Sequence, residues 1–399
     1  MNTSLNQEKK RVGSVFRTFY FLIFFGLGAL LPLLGVYLKN YVHLSGMQVG
    51  NIMSIGSVVM IFAQPMWGML CDYTQKPRHV LFFTLLFTGA IGLLYSTTTH
   101  YSILIVIAIL LAFGQSAMTP ISDSITLSYV QRKGGNYGSI RLYGALGFAF
   151  AVLVAGKASE YFGVHIIFYL FAAALFTAAF LTTLLPSEGT SMRVDIIKGC
   201  RHLFKQRDFV LFLCCTFFIF GPINANNTYF GLLITKLGGT LAGVGVAFLF
   251  AAGSEAPFMK VAAYFINKAG IKRIILFSAL ISAARWLFYS FEPPLPILYA
   301  TTISQGLSIG LFIPAALQYV REITPSSMQS TAVSLYATAG GGFGTWFCTF
   351  IGGVLMDRFG IQSIYLCYAT LTFIGIILFW VHTKGWLAQQ PNLAGRESA

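Results

Sequence analysis

The chain has 399 residues, 56% of them hydrophobic and only 10% charged, whereas soluble globular chains carry about 25% charged residues. Composition therefore excludes a water-soluble domain. The formal charge of +14 raises nucleic acid as a partner, but the basic residues lie in short gaps between apolar runs and build no contiguous patch, so none is expected. Phe (38 residues) and Gly (40 residues) are abundant, as suits packed membrane helices, where small residues let backbones approach.

A helical span needs about 20 mostly apolar residues. Twelve such runs follow one another: 15–38, 46–70, 79–97, 102–130, 137–157, 162–185, 208–234, 241–265, 272–290, 295–320, 328–354 and 363–382. A short basic head leads directly into the first run, which is long enough to span, so no cleavable signal peptide is expected. Runs of this length satisfy their backbone hydrogen bonds as helices, not as barrel strands. The expected fold class is an all-α polytopic membrane protein with twelve transmembrane helices. Lys and Arg crowd into the N-terminus, the even-to-odd loops and the C-terminus, while the opposite face carries Lys39, Lys157, Lys236 and Arg358. That asymmetry places both termini in the cytoplasm of a cell-membrane protein.

The longest connection, "PSEGTSMRVDIIKGCRHLFKQRD", separates the sixth run from the seventh. It reads as a polar, basic linker at 186–207 between an N-terminal bundle (1–185) and a C-terminal bundle with a short cytoplasmic tail (208–399). The two halves resemble each other. "GKASEYFGVHIIFY" (156–169) and "GVLMDRFGIQSIYL" (353–366) share G-x-x-x-[DE]-x-F-G-[VI]-x-x-I, and Gly144 and Gly147 fall opposite Gly341 and Gly344 at the same offset. A duplicated six-helix unit is expected, giving two pseudo-symmetric bundles. Parallel halves of this kind hold a solute near mid-membrane and rock to give alternating access.

Charges inside the membrane are costly and usually mark substrate or proton paths. Asp123 lies deep in the fourth run and Arg141 in the fifth, within "NYGSIRLYGALGF". At about 1.5 Å rise per residue their depths differ by one helical turn. Glu255 in the eighth run and Arg285 in the ninth lie at nearly equal depth, roughly 18 Å from the connecting loop on the same rise. Each half thus carries an acid and an arginine across a helical hairpin, expected to pair. Asp123 and Arg141 are candidate solute ligands, with the arginine fork suited to acceptor-rich groups. All six histidines (His43, His79, His100, His165, His202, His382) lie near span ends, so proton coupling falls to Glu255, deeper than Asp123, with Arg285 as its partner. Asn227 beside "GP" in the seventh run, Gln305 and Trp286 are further candidate substrate contacts. The Cys residues show no metal-ligand spacing. No metal or cofactor is expected, and no Walker-type motif or catalytic triad supports an enzyme.

"GMLCDYTQKPR" (68–78) resembles the loop 2–3 signature of the major facilitator superfamily, with Gly68, Leu70, Asp72 and Arg78 in place, Gln75 where a glycine is usual and Pro77 interrupting the basic run. The resemblance implies the major facilitator fold and a conformational gating role for Gly68, Asp72 and Arg78. "YGSIRLYGALGF", "SEAP" (254–257) and "ARW" (284–286) are similar to the lactose permease and 3-phenylpropionic acid transporter branch, over nearly the whole chain. That likeness implies solute binding by Asp123 and Arg141 and coupling to protonation by Glu255 and Arg285. This chain departs from the branch in carrying Gln305 where histidine is frequent and Ser308 where lactose permease has a carboxylate. The resulting expectation is a secondary active transporter of a small organic solute of the sugar, nucleoside or aromatic acid type, working by proton symport as a monomer in the lipid bilayer. A proton-coupled drug or metabolite exporter is the alternative.

Overall fold

A computed structural model describes residues 2–134, 136–186, 203–325 and 328–388, and these are helical throughout, with no strand among the described residues. The helices are α1 (Asn2–Val36, continued by a π turn at Tyr37–Tyr41), α2 (Gly46–Thr74), α3 (Pro77–Leu94), α4 (Tyr101–Lys133), α5 (Tyr137–Phe162) and α6 (Ile166–Thr182). They continue with α7 (Arg207–Lys236), α8 (Leu241–Ala269), α9 (Ile271–Ser290) and α10, in two segments, Leu295–Thr301 and Ser304–Ile323. The last two are α11, Gln329–Ala337 and Thr345–Phe359 around a π segment at Thr338–Gly344, and α12 (Ile361–Ala388). Ten of these are long and apolar enough to cross a membrane. The other two have evident reasons to fall short of that test: α6 has 17 apolar residues, and α9 carries Lys272, Arg273 and Arg285.

Local chemistry sets the boundaries. The Ser45 hydroxyl accepts from the Gln48 amide, and the Gln48 side chain reciprocates on Ser45, a capping box that starts α2. Pro77 opens α3, and the Asn136 side chain accepts from Ser139 to open α5. The final glycine of each repeat copy, Gly163 and Gly360, has φ of +84° and +82°. Both turn the chain sharply out of α5 and α11, in a region of backbone space that a side chain disfavours.

Prolines fall inside α1 (Pro32), α2 (Pro65), α4 (Pro120), α7 (Pro222), α8 (Pro257) and α10 (Pro314). The first, second and fourth helices of each set of six are therefore interrupted alike, a second trace of duplication beside the G-x-x-x-[DE] repeat. The glycine pair of that repeat has a packing reason. A Cβ on Gly147 would stand 2.2 Å from the Phe21 carbonyl oxygen of α1, and one on Gly344 would stand 3.0 Å from the Phe217 carbonyl oxygen of α7. In each case a small residue lets one helix seat directly on the first helix of its set.

Contacts divide the chain into two compact units: Met1–Arg193 with Asn226–Ala252 and Thr349–Arg358, and Val194–Ala225 with Gly253–Cys348 and Phe359–Ala399. The cut passes through α7, α8 and α11, each of which contributes an end to the first unit. Most of the linker expected at 186–207 lies outside the described residues. In the first unit α1 packs on α5 and α6, α2 on α4, and α3 on α4 and α6. Its core includes Phe168 stacked on Tyr95 and edge-on to Tyr37. In the second, α9 packs on α10 and α12, and Phe212, Tyr319 and Phe379 form an aromatic cluster.

Candidate functional site

The two units each hold a polar cluster inside apolar helices. In the second unit, Glu255 of α8, Arg285 of α9 and Gln305 of α10 form a hydrogen-bonded chain. Arg285 Nη1 donates to Gln305 Oε1 at 3.0 Å, and Gln305 Nε2 donates to Glu255 Oε1 at 2.9 Å. The charges at the two ends fix the amide orientation, its oxygen toward the cation and its nitrogen toward the carboxylate. Close helix approach makes the chain possible. A Cβ on Gly306 would stand 2.4 Å from the Ser254 carbonyl oxygen, and one on Gly310 would stand 2.9 Å from that of Glu255. The small residues of "SQGLSIG" thus bring α10 onto α8 and place Gln305 against Glu255.

Arg285 is 4% exposed. Its Cζ lies 4.3 Å from the Trp286 ring centroid and 6.0 Å from that of Tyr289. Tyr365 and Tyr368 of α12 pack on the same indole. The aromatic faces offset part of the cost of burying the guanidinium. Its Nε and Nη2, like Trp286 Nε1, have no hydrogen-bond partner among the described residues. Donors buried without acceptors are expensive, and such a set is matched chemically to an acceptor-rich molecule.

In the first unit, Asp123 of α4 accepts a hydrogen bond from the Tyr20 hydroxyl of α1 at 2.5 Å. Arg141 of α5 lies over the Phe24 ring at 4.1 Å and 5.9 Å from the Tyr20 centroid. Tyr137 adjoins both charged groups. Gly144, one turn after Arg141, supplies the room: a Cβ there would fall 2.8 Å from Phe24 and 3.0 Å from Arg141 Nη1. Asp123 and Arg141 are both half-buried.

The direct acid–arginine pairs expected from depth alone are therefore replaced by bridged ones. Among the described residues neither Asp123–Arg141 nor Glu255–Arg285 forms an ion pair; Tyr20 stands at Asp123, and Gln305 stands between Glu255 and Arg285. The physical reason is that a neighbouring helix, α1 or α10, brings a polar side chain to each acid, Tyr20 to Asp123 and Gln305 to Glu255. Depth along two helices says nothing about a third. Tyr20, Phe24, Tyr137, Tyr289, Tyr365 and Tyr368 were not among the candidates. Tyr20 and Phe24 lie inside the first run, away from the interfacial belts, which is a sequence signal, whereas Tyr137, Tyr289, Tyr365 and Tyr368 sit near the ends of their runs, where Tyr is ordinary and gives no signal.

Trp286 belongs to the cluster of the second unit, fully buried between Arg285 and the tyrosines, and the remaining candidates are dispersed. Asn227 is exposed on the part of α7 that belongs to the first unit. Gly68, Asp72, Gln75 and Trp67 line a cavity of about 190 Å³ with Ser116, Pro120 and Ser124. Arg78 donates to the Leu185 carbonyl at 3.1 Å and approaches that of Thr183 at 3.4 Å, holding the end of α6. No cluster of metal-ligating side chains occurs among the described residues.

Residues 15–367 match the MFS_1 like family. The chain is 49% identical to the maltose permease of Geobacillus stearothermophilus over 389 residues, 96% of each chain. It is 45% identical to the uncharacterized transporter YwbF of Bacillus subtilis over 371 residues, 93% of each. Among solved structures it resembles the nucleoside transporter NupG, with a TM-score of 0.85 at 17% identity over 94% of this chain and 99% of that one. The helical architecture, the proline and glycine duplication and these matches agree: the chain belongs to the MFS_1-like family of the major facilitator superfamily.

Proposed function

We propose that the protein is a proton-coupled symporter of a small sugar in the cell membrane, with both termini cytoplasmic, acting by alternating access between two six-helix halves. Secondary transport of a small solute goes with the family, whose related members are permeases. The observation that carries the finer reading is the Arg285–Gln305–Glu255 chain. An arginine with two unpaired donors can grip hydroxyl and ring oxygens, and tryptophan and tyrosine faces suit the apolar face of a pyranose. The relative named maltose permease supports the sugar class.

Within this reading Glu255 is the proton carrier. Its carboxylate is tied to Arg285 only through a neutral amide, so protonation weakens the Gln305 bond and loosens the hold on Arg285. A solute that engages Arg285 and a proton that engages Glu255 then act on the same three side chains. That shared chain is a physical basis for coupling. Asp123 and Arg141, with Tyr20, supply a second set of contacts, and Gly68, Asp72 and Arg78 bias the conformational change.

The test is uptake by reconstituted vesicles under an imposed pH gradient of either sign, with labelled maltose, melibiose and xanthosine. Maltose is expected to accumulate on the alkaline side. Glu255→Gln is expected to abolish accumulation while preserving solute exchange at equal concentrations. Full accumulation by that variant would remove Glu255 from the mechanism, and accumulation on the acidic side would make the protein an exporter.

A further inference from the structure

We infer that Glu160 and Asp357, the acids of the two G-x-x-x-[DE]-x-F-G copies, are paired latches that hold the exterior-side ends of α5 and α11 onto the first turns of α8 and α2. The inference rests on the alternating-access reading for what opens the latches. The contacts themselves lie within the first compact unit.

Each latch has the same three parts. At the α2 end, the Ser45 hydroxyl serves the third amide of the helix, Gln48, while Asp357 accepts from the first two, Gly46 and Met47, the latter at 2.8 Å. At the α8 end, the Thr240 hydroxyl serves the third amide, Gly243, at 3.0 Å, while Glu160 accepts from the second, Ala242, at 2.9 Å. The glycine four residues before each acid permits the approach. A Cβ on Gly353 would stand 2.4 Å from the Gly46 carbonyl oxygen, and one on Gly156 would stand 2.6 Å from that of Leu241. One helical turn after its glycine, each acid emerges beside a foreign helix start, where free amides and the positive end of the helix dipole favour an anion.

The division of labour between local and foreign caps is the point of the design. Ser45 and Thr240 travel with their own helices, so α2 and α8 keep a cap whichever partner is near, and each hydroxyl also meets the foreign acid while the ends are together. Glu160 and Asp357 belong to other helices, and their bonds exist only while the two helix ends are together. They therefore contribute to closure and little to helix integrity. The two latches are unequal. Asp357 takes two amides and has Lys39 at 3.8 Å, whereas Glu160 takes one amide and the Thr240 hydroxyl and is exposed. Asp357 is the stronger of the pair.

The experiment measures spin-label distances between Y41C and F359C in the otherwise complete protein with its native cysteines replaced, without solute or gradient. D357N is expected to raise the population with separated labels about tenfold, the effect of one charge-assisted hydrogen bond. E160Q is expected to raise it about threefold, and the double variant more than either. Q48A serves as the comparison: it removes the half of the capping box that the Gln48 side chain makes with the Ser45 amide, and it should lower the melting temperature of the protein and leave the distances unchanged. Unchanged distances in the D357N/E160Q protein, or a shift that Q48A reproduces, would overturn the latch. Because no solute is present, failure of sugar uptake leaves this result standing, and failure of the latch leaves the assignment of Glu255 standing.

Discussion

Arg141 stands on an aromatic floor and not against its expected acid. The guanidinium carbon sits 4.1 Å from the Phe24 ring centroid, with Tyr137 beside it. Arg141→Lys loses both the stack and the fork, and solute affinity is expected to fall tenfold or more, measured as the rise in KM for uptake at unchanged protein level. Tyr20→Phe removes the one donor that the structure gives Asp123 from α1 while keeping the ring under Arg141. About a tenfold rise in KM is expected, since bonds to charged groups contribute about 1.5–3 kcal/mol. The positions of both charges could be read from the sequence, because an ion inside a long apolar run stands out against its background. Their partners could not. Tyr20 and Asp123 are 103 residues apart, and Gln305 is 50 from Glu255, and only tertiary packing brings them together.

At the level of the helix, glycine decides how near two backbones come. Gly147 of α5 is seated on the Phe21 carbonyl, where any side chain would collide with backbone, whereas a Cβ on Gly68 of α2 would meet nothing within 4 Å. Gly147→Val is expected to destabilise the fold by about 3 kcal/mol or more, because overpacking against backbone has no flexible group to displace. Gly68→Ala should leave stability unchanged. Thermal unfolding in detergent compares the two. An effect of Gly68→Ala on transport with no change in melting would favour the proposed gating role of this position on α2 over packing. Helix existence and type were legible from run length, and all twelve runs coincide with helices. The breaks at the Leu295–Thr301 and Ser304–Ile323 junction and at Thr338–Gly344 were not, because hydropathy does not register a change in hydrogen-bond pattern. The short α6 and the charged α9 show the converse: one falls short of a span by length and the other by its charges, yet each is packed as one of the set.

For the whole molecule, duplication is visible twice over, in the G-x-x-x-[DE]-x-F-G copies and in prolines that interrupt corresponding helices. The basic linker suggests a bundle division at 186–207; grouped by contact, the ends of α7, α8 and α11 fall with the first six helices. The difference has a physical cause. Glycines at Gly156, Gly245 and Gly353 let helix ends from distant parts of the chain touch backbone to backbone, and contact of that kind outweighs sequence order in defining a unit. The proposed orientation gives a direct expectation: epitope tags at the N- and C-termini should both be reached by antibody in inside-out vesicles and neither in right-side-out ones. Reaction of one tag on each side would break the even count of spans.

The wide turn at Thr338–Gly344 carries its own implication. Four of its seven residues are glycine, and the Thr345 backbone amide and hydroxyl both reach back to the Gly340 carbonyl, five residues earlier where a regular helix would reach back four. Such a stretch resists twisting less than the helix on either side. Its amide protons should therefore trade with heavy water ahead of those in Thr345–Phe359, marking a soft joint part-way along α11 about which the two arms of that helix can swing without either one melting.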